Sequence, residues 1–490
     1  MVLKKKSNYI DPVHGDIPYT DHEDILIAHP IYQRLKKIKQ LGTVYLVYPS
    51  STHTRYSHSL GVMHVSGQLF NSIFNDVIAS DNYSKVQKDL DELYKCVRIS
   101  GLLHDLGHGP YGHQFESIFK GLKVSDLKND LMKPLDWVYQ KKKEDYSNQS
   151  LKHEHYSYAL ISVILNETNL NSHYSARDIC CLLDSNFEPS RKFSELLERV
   201  SEHIGGGSKD SLLGVLKAIL SSDIDADRID YLQRDSLSCG IKISAIDFNH
   251  ILNSIQINSD KNGEFFIELK KNAISSIDQV LISRKMMFDR VYLHWEHCYY
   301  GDLLINCIKK LNITSRVEKL TSSWREYVFA NDDQVDESIR IYIKSIKNVK
   351  EISDDNLKAL LYFYRIKPKK HFQSLYFSSE HKEKKGELLE KYSQSLFEIL
   401  PIPLKKFTSL ARDLNSDKDS ILRINLLNDG DFVVYNKASD IFKSNLWIQI
   451  KERATVVDSL SEIKIKKLDE IEKIHSSLFL DVTAKKKDVG

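Results

Sequence analysis

The chain has 490 residues, 69 Lys and Arg against 67 Asp and Glu, a net charge of +2, and six cysteines with no C-x-x-C pair. That length can bury one large core with a smaller domain, and the near-neutral balance argues against nucleic acid as the main substrate. No apolar run reaches the roughly 18 residues of a membrane span, the start "MVLKKKSNYI" lacks an apolar signal core, and the scattered cysteines fit reduced thiols. A cytoplasmic protein without membrane contact is therefore expected.

Taken in chain order, residues 24–48 ("DILIAHPIYQRLKKIKQLG" and onward) alternate apolar and basic positions at helical spacing, with Gly42 as the stop. Residues 58–80 and 86–104 read as further amphipathic helices. The polar, lysine-rich stretch 120–150 reads as a loop or insertion before a helix opening at "KHEHYSYALISVIL". Residues 211–237 and 273–311 again carry helical periodicity. Period-two alternation is sparse until "ILRINLLNDGDFVVYNK" (421–437), where Asn-Asp-Gly signals a hairpin, and "LWIQIKE" (446–452). The expected architecture is mainly α: a helical core over 1–310, then a lysine-rich α+β extension over 311–490 ending in a disordered tail, 484–490.

Eleven of the nineteen histidines fall within the first 155 residues. The stretch "GLLHDLGHGPYGHQFE" (101–116) places His104, His108 and His113 with Asp105 and Glu116 where four Gly and Pro residues interrupt a helix. "HTRYSHSLGV" (53–62) puts Arg55 and His58 three apart on one helix face. "KHEHYS" (152–157) brings His153, and "SSDIDADRIDYLQRD" (221–235) repeats Asp227, Tyr231 and Asp235 at intervals of four. His58, His104, Asp105 and Asp227 make a candidate metal set. Nitrogen and oxygen ligation without thiolate suits Mn, Fe, Ni, Zn or Mg and leaves room for water, which the ion would acidify.

Other features have plainer readings. The aspartate run mimics a calcium loop starting at Asp223, but Arg228 and Arg234 occupy the places of its glycine and glutamate. "GGGSKDS" (205–211) lacks phosphate-loop spacing and reads as a turn. Cys180-Cys181 and Met286-Met287 read as core, as do His64, His173 and His250.

The segments "YQRLKKIKQLGTVYLVYPSSTHTRYSHSLGV", "LLHDLGHGPYGHQFE", "HEHYS" and "DIDADRIDYLQRD", in that order, resemble the HD-domain phosphohydrolases, and within them the deoxynucleotide triphosphohydrolase branch. The resemblance covers residues 8–310. It implies a helical HD core, a metal on His58, His104, Asp105 and Asp227, and water attack on the α-phosphorus of a deoxynucleoside triphosphate. The products would be deoxynucleoside and inorganic triphosphate.

By the same resemblance His108, His113 and His153 surround the scissile bond. His153 is the expected general acid, steered by Glu116, and His113 helps place the water. Arg55, Arg228 and Arg284 match phosphate contacts, with Mg accompanying the triphosphate. Gln40, Leu41, Tyr231, Asp235 and Tyr292 match positions around the sugar and base. A nucleotide effector, a homo-oligomer and a role in depleting deoxynucleotides against phage belong to the same expectation. Ala28, Ser7 and Ile10 depart from the animal members' guanine-reading pocket, so control in their manner is not expected. The competing reading is an HD-type phosphodiesterase or nuclease acting on single strands or cyclic dinucleotides.

Overall fold

The computed structural model describes residues 5–119, 121–127, 131, 147–222, 224–242, 246–311, 323–348, 353–367 and 469–476, with strand backbones at 375–377, 397–402, 422–425, 432–434 and 452–458. Its described part is mainly α, as the periodicity predicts. Most of the 120–150 stretch, the Asn-Asp-Gly turn, residues 446–451 and the 484–490 tail lie outside the described residues.

A short antiparallel hairpin, β1 (Ser7–Asp11) and β2 (Gly15–Tyr19), opens the chain. Helix α1 (Asp21–Ala28) follows, started by a reciprocal capping box. The Thr20 hydroxyl accepts from the Glu23 N–H, and Glu23 accepts from the Thr20 N–H at 2.8 Å. The single helix expected over 24–48 is broken. His29 precedes Pro30 and is held extended, so α1 stops and a second short helix, α2 (Pro30–Gln33), starts at the proline. Tight 3-10 turns at Arg34–Lys37 and Gly42–Leu46 complete the stretch.

Helix α3 (Arg55–Ile73) is the axis of the core and buries residues around its whole girth, from Arg55 and His58 to Phe70 and Ile73. After the brief α4 (Asn75–Ala79), helix α5 (Tyr83–Leu103) packs against α3 and delivers His104 at its C-terminal end. Helix α6 (His153–Glu167) starts at His153, and α7 (Ala176–Leu183) buries Cys180 and Cys181 as expected.

Helix α8 (Arg191–Ile204) ends at Gly205 and Gly206, both at positive φ, before Ser208 caps α9 (Lys209–Leu220). The glycine run is thus an interhelical turn. The stretch expected as one helix over 211–237 is two, because Asp225 caps a new helix, α10 (Ala226–Ser238), by accepting from the Arg228 N–H at 2.7 Å. Past α11 (Phe248–Leu252), residues 273–311 likewise divide into α12 (Ile274–Met287), a π turn at Phe288–Tyr292 and α13 (Trp295–Lys310). Met287 is buried and Met286 only partly; His173 is exposed, unlike the half-buried His64 and His250.

Two strands escape the alternation test. β3 (Ile255–Ser259) and β4 (Phe265–Lys270) pair antiparallel, and β4 is buried at five successive residues, so both its faces are apolar and no period of two is visible. β4 also pairs in parallel with β7 (Leu422–Asn425), which pairs antiparallel with β8 (Phe432–Val434), as a hairpin across 421–437 requires. A separate three-stranded sheet has β9 (Glu452–Asp458) between β5 (Leu375–Phe377) and β6 (Phe397–Ile402). Helices α14 (Trp324–Val328), α15 (Asp332–Ser345) and α16 (Asp354–Phe363) follow α13, and α13 packs on both α15 and α16. Among the described residues no helix is long and apolar enough to cross a membrane.

Candidate active site

Three helices converge where α5 ends. His58 comes from the first turn of α3, His104 and Asp105 from the end of α5, and Asp227 from the first turn of α10. His58 Nε2 lies 3.0 Å from Asp227 Oδ1 and 3.7 Å from Asp105 Oδ2. His104 Nε2 lies 3.3 Å from Asp105 Oδ1 and 3.7 Å from Asp227 Oδ1. His58, His104 and Asp227 offer ligand atoms all within 4.8 Å of one another, a set that could hold a metal ion. Ligands about 2.1 Å from an ion stand about 3 Å apart, so the spacing fits.

The donor chemistry fits as well. His104 Nδ1 donates to the Gly101 carbonyl at 2.8 Å, which leaves Nε2 with its lone pair, buried and without a hydrogen-bond partner among the described residues. His58 Nδ1 donates to Asp230 at 2.7 Å, leaving Nε2 toward Asp227. Burial alone would lower the His58 pKa, but its hydrogen bonds to Asp227 and Asp230 overcome that and raise it to about 10. Burial would raise the carboxyls of Asp227 and Asp105. The imidazoles of His104 and His58 hold Asp227 well below the carboxylate range, and His104 and Arg55 do so for Asp105. The two carboxylates that hold protons on these imidazoles would equally compensate a cation bound in the protons' place.

Asp105 joins this set to a second one. Its Oδ1 lies 3.4 Å from His108 Nε2, and the His108 ring stacks on His153 at 3.7 Å between centroids. His113 Nδ1 and His153 Nδ1 both meet Glu116 Oε1, at 2.9 and 2.5 Å. These four side chains also lie close enough to hold an ion. The pairing of His113 and His153 with Glu116, imidazole to carboxylate through Nδ1, equally suits proton handling. Burial first, then Arg55 and His153, push the His108 pKa well down.

Gly107 permits the close approach: a Cβ there would stand 2.0 Å from the His153 carbonyl. Tyr111 and Gly112 both have positive φ, 57° and 59°, so the chain reverses between His108 and His113. Arg55 is buried and donates to Asp105 at 2.5 Å, while its Nε has no partner among the described residues.

The positions expected at the sugar and phosphates divide. Asp235 accepts from Tyr292 O–H at 2.7 Å on one oxygen and contacts His53 Nε2 at 2.8 Å on the other. Tyr231 stands beside Tyr292, and its pKa is pushed up to about 12 by burial despite the nearby Arg284 and Arg228. Arg228 donates to the Ser222 carbonyl and approaches Asp225 at 3.7 Å, so it is engaged at the start of its own helix. Arg284 lies over the Phe288 ring. Gln40 has a buried Oε1 without a hydrogen-bond partner among the described residues, and Leu41 packs against the core.

The sequence reading missed the support behind His58. Asp230 accepts from His58, contacts His14 Nε2 at 2.6 Å and is gripped by Arg234, which in turn holds Asp11 at 2.7 Å. Asp230 was visible inside the "DADRID" run at a spacing of three from Asp227; His14, from a distant hairpin, gave no signal.

The HD domain family model matches residues 55–235, the interval that begins at Arg55 and ends at Asp235. An uncharacterized protein of Mycoplasma genitalium is 29% identical over 58% of this chain and 55% of its own length. The uncharacterized protein YwfO of Bacillus subtilis is 29% identical over 60% of this chain and 53% of its length. The deoxynucleoside triphosphate triphosphohydrolase SAMHD1 of Xenopus laevis is 24% identical over 66% of this chain and 48% of its length. The chain thus spans about half the length of the curated relatives it matches. Among solved structures, a phosphohydrolase from Bacteroides thetaiotaomicron aligns with a TM-score of 0.61 at 19% identity, over 93% of this chain and 100% of that one. That likeness speaks to the fold.

Proposed function

Because the chain belongs to the HD-domain phosphohydrolase superfamily, we propose that it hydrolyses deoxynucleoside triphosphates at the α-phosphorus. The products are deoxynucleoside and inorganic triphosphate. The observation that carries this reading is Asp105, which faces the His58–His104–Asp227 set on one side and His108 on the other. It puts a cation site and a proton-handling set on one carboxylate.

A divalent ion on His58, His104, Asp105 and Asp227 would supply Lewis acidity and an acidified water; Mn, Fe, Ni, Zn and Mg all match this donor set. The protein's own groups do the rest. A triphosphate brings about four negative charges, which Arg55, Arg228 and Arg284 would answer, with Mg accompanying the substrate. Glu116, kept ionised by His113 and His153 despite its burial, orients His153 to protonate the departing 5′-oxygen while His113 helps direct the water. Asp235, its two oxygens fixed by Tyr292 and His53, would contact the sugar together with Gln40 and Tyr231. Leu41 and Tyr292, if packed on the sugar, would disfavour a 2′-hydroxyl and so favour deoxynucleotides. The similarity to the Xenopus deoxynucleoside triphosphate triphosphohydrolase supports the substrate class.

We further propose a catalytic unit within 1–310 with a C-terminal extension, homo-oligomeric assembly in the cytoplasm and control by a nucleotide effector. The test is product analysis of the purified chain with each deoxynucleoside triphosphate, singly and mixed, with Mn²⁺ or Mg²⁺. Tripolyphosphate and deoxynucleoside in equal amounts support the reading. Orthophosphate without tripolyphosphate, or cleavage of single-stranded DNA in preference to nucleotides, overturns it.

A further inference from the structure

The turn that carries His108 and His113 is not held by its own hydrogen bonds alone. Three successive carbonyls, those of Leu106, Gly107 and His108, accept from side chains remote in sequence. Arg34 Nη2 donates to Leu106 O at 2.5 Å and Arg34 Nη1 to His108 O at 2.8 Å. Tyr327 O–H donates to Gly107 O at 2.6 Å. Past these carbonyls the chain enters Tyr111 at φ 57°, a conformation costly for a bulky residue. Its N–H donates to Asp332 Oδ1 at 2.7 Å and its hydroxyl to Asp336 Oδ1 at 2.5 Å.

The holders are tied to one another. Arg34 also donates to Ala330 O at 3.0 Å and lies over the Tyr327 ring at 4.7 Å. Asp332 Oδ2 accepts from the Lys39 N–H at 3.0 Å. Arg34 is only 4% exposed, and among the described residues no carboxylate comes within ion-pair distance of it. Burying a guanidinium against neutral carbonyls is a poor way to gain stability, because its desolvation is not repaid by a counter-charge. An apolar side chain would fill the space more cheaply. What the guanidinium offers is direction: its fork fixes two carbonyls two residues apart.

We infer that Arg34, Tyr327 and Asp332 are positioning residues that set the backbone of the 106–113 turn. The segment 324–336, which lies past the 1–310 unit, thereby helps to shape that unit's catalytic turn. The inference rests on the proposed hydrolytic role of His108 and His113, and it deepens that role by naming what aims them.

The experiment uses the full chain with Tyr327→Phe, Asp332→Leu and Asp332→Asn. Hydrogen exchange is followed in peptides covering 104–119, together with kcat, KM, the pH profile of kcat and bound metal. Tyr327→Phe removes one hydroxyl from a packed ring. It should speed exchange within 106–113 and lower kcat on the order of tenfold, since small misplacements of reacting groups are costly. KM should stay within about twofold and metal content unchanged. Asp332→Asn keeps an acceptor for the Tyr111 N–H and should recover most of what Asp332→Leu loses.

If melting temperature falls while 104–119 exchange, kcat and its pH profile stay as in the parent, the inference is wrong and the contacts only stabilise. Should Asp332→Leu not fold, Tyr327→Phe decides alone. A parent chain inert toward every nucleotide would overturn the proposed function, and the exchange comparison would still decide whether the turn is held from 324–336.

Discussion

Asp230 contacts His58 Nδ1 at 2.7 Å while its own side chain is fully buried. Burial would raise this carboxyl's pKa, but Arg234, then hydrogen bonds from His14 and His58, hold it well below the usual range. The carboxylate is therefore an anion at neutral pH. It fixes the His58 ring by its Nδ1–H and leaves Nε2 toward Asp227 at 3.0 Å.

Asp230→Asn keeps the shape but removes the charge that Arg234 and His14 compensate. Metal affinity is expected to fall about 10- to 100-fold. The fold should lose about 3 kcal/mol, because a buried guanidinium is left with half its partners. Mn²⁺ titration and denaturant unfolding of the variant check both. A variant that binds Mn²⁺ like its parent would remove Asp230 from the support of the site.

Metal binding should stabilise the chain by mass action. A chelator-treated preparation is expected to gain about 2.7 kcal/mol when free Mn²⁺ is raised to a hundred times its dissociation constant. Asp227→Ala should abolish the gain. Differential scanning calorimetry across a Mn²⁺ series reads this directly, and an equal rise in parent and variant would place the ion elsewhere.

Much of the site was legible because its residues sit in short, dense runs. His104-Asp105, the 227-231-235 face and the glycine-broken histidine stretch each announce themselves within about fifteen residues. The supports were illegible for the opposite reason. His14 meets Asp230 across 216 positions and Tyr327 meets Gly107 across 220, and no local pattern encodes such pairs. In the fold, helical period found the major helices but passed over their boundaries, where a local signal wins: Pro30 after an extended His29, and Asp225 as a cap. β4 failed the alternation test because burial on both faces erases alternation.

His64 gives the fold an acid sensitivity that can be measured apart from catalysis. Burial, then His14 and Arg98, push its pKa down to about 4, against weaker opposite pulls from Asp11 and Asp230. Above about pH 6.5 the ring is neutral in both folded and unfolded chains, so it contributes no pH dependence. Between about 6.5 and 4 the unfolded chain takes up a proton that the folded one refuses, and stability falls as pH falls. The loss should reach about 2 kcal/mol near pH 5. His64→Gln is expected to flatten that part of the unfolding free energy against pH, measured by urea titration. An unchanged slope would assign the acid loss to other groups.

Glu116 is where a substitution separates orientation from charge. Its Oε1 meets Nδ1 of His113 at 2.9 Å and of His153 at 2.5 Å. Although burial would raise the carboxyl's pKa, these imidazoles hold it well below its ordinary value. The sign follows: the stability this pairing supplies is complete above about pH 4.5 and is lost progressively as pH falls from there toward the depressed value. From pH 5 to 8 Glu116 therefore stays ionised, and any bell in kcat over that window belongs to other groups. Glu116→Gln retains an acceptor for the imidazole N–H but cannot balance an imidazolium. Turnover is expected to drop about a hundredfold, the scale of a lost acid–base partner, with KM and metal content held. Steady-state kinetics with the metal assay settles it. Parent-like kcat in the glutamine variant would mean that Glu116 only aligns the rings and that its charge does not assist proton transfer.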